Sequence, residues 1–222
     1  GKTHNMIALG MLSKYKEKRN QILGFDTKLD NIRVIGFTGR ETDVKYGIWG
    51  ELARQLGKLE DFKEYYSPLR APGQSAWVNM LKGEPLLILL DELPPYLQAA
   101  KAQQIGNSDL AEVTTAALAN LFNAINKAEL SNVCLVISDL NATYEEGSEY
   151  VQRSFKNIEG ELDRFALMLQ PVSSTSDEIY SILKTRLFEK LPSEEEINEV
   201  ALAYKEKLNE AKRMNITNGS PD

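Results

Sequence analysis

The five-residue run Leu86-Leu87-Ile88-Leu89-Leu90 narrows the fold more than any other stretch of this sequence. Consecutive aliphatic residues present an apolar side chain to both faces of a strand. Only a sheet covered on both sides accommodates that, so the run predicts a central strand of a parallel α/β sheet. Directly after it comes Asp91-Glu92. In open sheets of this kind ligands bind beyond the carboxyl ends of the strands. The two carboxylates are therefore predicted to stand where chemistry is done.

Other segments repeat the arrangement. Residues 31–37, rich in β-branched side chains and closed by Thr38-Gly39-Arg40, predict a strand, and residues 133–137 predict a second doubly buried one ending at Ser138 and Asp139. A fourth strand is expected over 166–172. Between them lie helical periodicities: 4–18, then Ile48, Trp49, Leu52, Ala53 and Leu56 with Gly57 as the cap, 74–81 with Trp77, Met80 and Leu81 inward, 114–129 with Leu118, Leu121, Phe122 and Ile125 on one face, and 150–165. Residues 61–73 read as a loop and 98–109 as a polar, mobile one, with Pro94-Pro95 as a stop. Further on, Ser176-Asp177-Glu178 caps a helix over 179–190, Pro192-Ser193-Glu194 opens another to about Met214, and 215–222 are expected to be disordered. No internal repeat is found.

Composition limits the chemistry. With 222 residues, 42% hydrophobic and 26% charged, the chain has the make-up of a soluble globular protein with one large domain or one domain and part of a second. The longest apolar run is five residues against the roughly 20 that cross a bilayer, so no membrane span is expected. No secretory signal is read in residues 6–19, and the cytoplasm is the expected location. Cys134, the single cysteine, excludes a disulfide framework and reads as a buried, inert thiol. One histidine, His4, excludes a multi-histidine zinc site and a serine-type triad elsewhere in the chain. A net charge of −6 repels nucleic acid, leaving DNA contact open only through a local basic patch. The basic run 14–19 reads as a solvated helix end that complements the helix dipole.

The opening Gly1-Lys2-Thr3-His4 has the form of the second half of a phosphate-binding loop, whose full pattern is G-x-x-x-x-G-K-S/T. The expectation is that the chain begins inside that loop. Gly1 would let backbone approach a phosphate, Lys2 would be the mobile cation, and Thr3 would give its hydroxyl to Mg²⁺, with His4 closing the loop. Asp91 would hold Mg²⁺ through its water shell, and Glu92 would polarise the attacking water. Ser138 or Asp139, on the neighbouring strand, would sense the γ-phosphate or help position that water. Arg164, in Asp163-Arg164-Phe165 before the fourth strand, is a candidate arginine finger, and it reads equally well as a surface arginine paired with Glu161 or Asp163. Arg186 is a second candidate, which reads equally as a helix-capping or salt-bridging residue. The extra length between the two motifs falls at 61–81 and reads as an insertion.

The segments Trp49-Gly50-Glu51-Leu52-Ala53-Arg54-Gln55-Leu56-Gly57, then Leu86 to Glu92 with Tyr96-Leu97, and Pro171-Val172 with Glu178-Ile179 and Arg186-Leu187-Phe188 resemble the domain of unknown function 499 family. That resemblance implies a large prokaryotic AAA+-like P-loop ATPase, often encoded beside DNA methyltransferases or helicases in anti-phage defence loci. It implies Gly1 to His4 as the tail of the Walker A loop and Asp91-Glu92 as the Walker B pair. The expected architecture is a three-layer P-loop NTPase with helices on both faces of a parallel sheet over 1–172, followed by the start of a helical lid over 173–222. The expected function is binding and hydrolysis of ATP with Mg²⁺, within a self-associated or larger multi-protein assembly. An ATP-dependent switch with little turnover is the alternative.

Overall fold

A computed structural model describes residues 2–43, 45–138, 167, 176–187 and 189–214. The chain divides into two compact units, Gly1–Met168 and Leu169–Asp222. In chain order the first unit contains α1 (Lys2–Lys14), α2 (Lys16–Leu23), β1 (Arg33–Thr38), α3 (Gly47–Gln55), α4 (Gln74–Leu81), β2 (Leu86–Asp91), α5 (Leu93–Ala100), a small hairpin of β3 (Gln104–Ile105) and β4 (Ser108–Asp109), α6 (Leu110–Ile125) and β5 (Val133–Ile137). The second contains α7 (Ser176–Leu187) and α8 (Glu194–Arg213).

The sheet is parallel and ordered β1-β2-β5. β2 is its centre, as its unbroken apolar run requires. Side chains alternate across the pleat, and the two faces receive different cover. Ile35, Phe37, Leu86, Ile88 and Leu90 join one core with Trp49, Leu52, Trp77, Met80, Leu118, Leu121 and Phe122 of the helices. On the other face α1 lies over β1 and β2. Gly10 makes that approach close: a Cβ there would stand 3.2 Å from Cδ1 of Leu89.

The expected strand at 133–137 is present, but it is not doubly buried. Val133 is buried while Cys134 is exposed, because Cys134 pairs with Leu87 on the face where α1 packs against β1 and β2. The thiol expected to be buried is therefore open to solvent. The expected fourth strand and the helix over 150–165 lie outside the described residues, as does 215–222.

The first helix also differs from its expectation. It breaks at Tyr15, whose extended backbone (φ −120°, ψ 96°) starts α2. The cause is Arg19, which turns inward instead of ending a solvated run. Its guanidinium donates to the Thr27 hydroxyl (2.9 Å), to the carbonyls of Leu12 (3.0 Å), Ser13 (3.1 Å) and Asp30 (3.0 Å), and to that of Leu29. One side chain thereby ties α1, α2 and the approach to β1 together, using a fork of donors that lysine lacks.

Residues 61–81 do not hang off the fold as an insertion. Phe62, Tyr66, Trp77, Met80 and Leu81 are part of the core, and the Trp77 indole donates to the Ala117 carbonyl of α6 (2.9 Å). Pro94 and Pro95 likewise do not act as a stop. They sit in the first turn of α5, where the missing N–H is not needed. The loop expected over 98–109 is the end of α5 and the β3–β4 hairpin. α6 starts before residue 114 because the Asp109 side chain accepts from the Glu112 N–H (2.9 Å) as an N-cap.

The outer edge of β1 is closed by a side chain. The Gly36 N–H donates to Oε1 of Gln55 (2.9 Å), and Nε2 of Gln55 donates back to the Gly36 carbonyl (2.7 Å). In this way the Gln55 amide satisfies the two backbone groups a neighbouring strand would take.

Candidate functional site

The carboxyl edge of the sheet is built by three consecutive devices. β2 delivers Asp91 at its last position, in register with Thr38 of β1. β5 delivers Ser138 one residue past its end, with the Ser138 N–H bonded to the Leu90 carbonyl (2.9 Å). The chain after β1 then folds across the top: the Gly39 N–H donates to the Asp91 carbonyl (2.8 Å). Only glycine fits there, since a Cβ at Gly39 would stand 1.8 Å from the Glu92 carbonyl oxygen.

Asp91 is buried, 9% exposed. The Ser138 hydroxyl donates to its Oδ1, and the Glu92 N–H donates to that same hydroxyl (3.1 Å). Ser138 thus fixes the Asp91 carboxylate and the Glu92 backbone with one oxygen. Among the described residues Asp91 forms no ion pair. A buried carboxylate answered by a single hydroxyl is costly unless further charge compensates it, and its remaining oxygen capacity suits a hard cation. Among the described residues no three His, Cys, Asp or Glu side chains cluster as a metal cage. A divalent ion at Asp91 would consequently draw most of its ligands from water and from an anionic ligand, the habit of Mg²⁺.

Glu92 has a left-handed backbone (φ 48°, ψ 47°), uncommon for a residue with a Cβ. That conformation costs about 1 kcal/mol or more and tends to persist where surrounding structure dictates it. Here the Gly39 crossover and the Ser138 bond fix the peptide directly before α5 begins at Leu93. The Glu92 side chain turns to Arg40, which holds it through two bonds, Nη2 to Oε1 at 2.9 Å and Nε to Oε2. Arg40's hydrogen bonds hold the Glu92 carboxyl below the usual glutamate range, outweighing partial desolvation. The same bonds raise the guanidinium of Arg40.

The sequence-predicted residues fall into three groups. Asp91, Glu92 and Ser138 meet at this edge. Lys2, Thr3 and His4 form the first turn of α1, with Thr3 and His4 exposed. The Ile32 N–H donates to the Ser13 carbonyl (3.0 Å), at the foot of β1, and Gly10 faces Val34 and Leu89 higher up. α1 therefore runs antiparallel to the strands, climbing roughly 15 Å from Ser13 to Thr3 alongside strands that span roughly 20 Å. Its N-terminal N–H groups point toward the edge that carries Asp91. Gly1, Asp139 and Arg164 lie outside the described residues, and Arg186 is exposed on α7 in the second unit.

Arg40 is the member that sequence reasoning missed. It stood in the sequence as part of the turn after β1, and its contact with Glu92 spans 52 positions. The register that aligns Thr38 with Asp91 is what brings the two residues together.

No described helix is long and apolar enough to cross a membrane. No curated protein and no solved structure matches the chain. A family model does: that of the DUF499 N-terminal domain, over residues 22–170.

Proposed function

The chain belongs to the DUF499 N-terminal domain family, and we propose that its first unit is the core of a Mg²⁺-dependent P-loop ATPase. The carrying observation is the buried Asp91 at the end of the central strand, anchored by Ser138 of the adjacent parallel strand, on the edge to which the N-terminus of α1 points. A helix N-terminus favours an anion, and a buried carboxylate on the edge toward which it runs favours a cation. Together they suit a phosphate with its metal.

In this reading Lys2 and the first N–H groups of α1 hold phosphate oxygens, Thr3 and Asp91 hold Mg²⁺ directly or through water, and Ser138 keeps Asp91 in one rotamer. Bound Mg²⁺·ATP supplies the electrophilic phosphorus and the leaving group. Glu92 is the group that takes the proton of the attacking water. While Arg40 holds it, Glu92 is a weak base turned away from that task, so release from Arg40 precedes turnover. In the intact protein Lys2→Ala and Glu92→Gln should each abolish phosphate release, with Glu92→Gln still retaining ATP. Unchanged hydrolysis in either variant rejects the reading.

The Arg40–Glu92 pair favours a second reading, an ATP-gated switch that turns over slowly. The two differ in the native protein itself: an ATPase releases phosphate over many turnovers, whereas a switch keeps ATP bound with little release until Arg40→Ala frees Glu92. The work driven by either, in a larger or self-associated assembly, belongs to the same proposal.

A further inference from the structure

α8 carries an exposed apolar stripe whose spacing is the same from either end. Ile197, Val200, Tyr204 and Leu208 are 45%, 56%, 75% and 51% exposed, and no residue of the helix is buried. With Ala211 they follow steps of three, four, four and three residues, which at 100° per residue confines them to about 80° of the circumference. The helix start is fixed by a reciprocal capping box between Ser193 and Glu196. Its end is stabilised by Lys212 and Arg213 in the last turn. Most helical stability in proteins comes from packing of an amphipathic face, so a stripe this regular calls for cover.

We propose that the cover is α8 of a second copy of this chain, packed antiparallel about a two-fold axis at Tyr204. Turned end for end, the stripe falls on itself: Ile197 meets Ala211, Val200 meets Leu208, and Tyr204 meets Tyr204. Charge decides the orientation. Glu194, Glu195, Glu196 and Glu199 make the first half of the helix acidic, while Lys205, Lys207, Lys212 and Arg213 outnumber Glu206 and Glu210 and leave the second half net basic. Parallel pairing would set the acidic halves side by side. Antiparallel pairing sets each against a basic half, as a self-complementary two-fold contact requires. Glu194 and Lys212 lie on the same flank of the stripe, 18 positions and five turns apart, so each faces the other's counterpart across the pair. Lys207 is engaged within its own helix by Glu210 (2.9 Å).

The test is sedimentation velocity on the whole 222-residue chain from about 1 to about 100 µM, the range of a small helical interface. A concentration-dependent dimer is expected, and Leu208→Glu should raise its dissociation constant at least tenfold. Glu194→Lys or Lys212→Glu alone should weaken it, while the two combined should restore it. Glu194 is exposed and Lys212 half-buried, and the double reversal is its own control, so the charge series decides the matter even where Leu208→Glu disturbs the helix. In a Cys134→Ser background, Tyr204→Cys should oxidise to a disulfide-linked dimer. A chain that stays monomeric at the highest concentration overturns the proposal, including one whose α8 amides are protected by cover from its own chain. A dimer indifferent to Leu208→Glu, or a charge reversal that the second reversal does not rescue, overturns it as well.

Discussion

Arg40 and Glu92 make a pH-dependent contact, and its sign follows from the direction in which the carboxyl is shifted. Arg40 lowers the Glu92 pKa relative to the unfolded chain, so the pair contributes its stability in full above the ordinary glutamate value and loses it as pH falls through the lowered one. The difference in urea midpoint between the native chain and Arg40→Ala should therefore be constant near neutrality and vanish in acid. A carboxyl resonance of Glu92 that titrates at the ordinary glutamate value in the native chain would show that the pair does not hold in solution. At this scale the sequence was only partly readable. Asp91 and Glu92 were legible because a doubly apolar strand can end in carboxylates for few reasons. Ser138 was legible as the matching end of the next strand, though its hold on Asp91 was not. Arg40 and Arg19 were not, because a guanidinium in a turn or in a basic run looks solvated until tertiary structure supplies its acceptors. The Arg19 carbonyl partners are backbone groups, which leave no mark in a residue pattern.

Elements were legible where one face or both are buried, and misread where context changes a residue's meaning. β2 declared itself through its apolar run. β5 has a similar run, yet its cover is incomplete, because periodicity reports what a strand could bury and cannot report how far a neighbouring helix extends. Residues 61–73 show the same limit from the other side: their prolines suggested a loop, but Phe62 and Tyr66 are buried in the core, whereas the helix over 74–81 turns Trp77, Met80 and Leu81 inward as its spacing predicts. Trp77→Ala should accordingly cost about 3–5 kcal/mol, as deletion of a large core aromatic does, and should leave the bond to Ala117 unmade. Equilibrium urea unfolding measures it. A loss below about 1 kcal/mol would mean that the segment is peripheral to the core.

At the scale of the molecule the two units differ in what they bury. The first has a contiguous core around β1 and β2, whereas α7 exposes Tyr180 and Leu187 and α8 exposes its whole stripe. Hydrogen exchange on dilute chain should reflect this, with slow amides in β1 and β2 and fast ones in α7 and α8. Equal protection in both units would contradict it. The Gln55 amide that occupies the edge of β1 bears on how such a core comes together. Gln55 lies 19 positions from Gly36, while β2 follows β1 only after about fifty residues. Loop closure favours the nearer partner, so during synthesis the glutamine can seat before β2 has emerged. A nascent β1 so occupied has one vacancy left. In that sequence of events a single side-chain amide leaves β2 the opposite side of β1 to dock on, before the central strand exists.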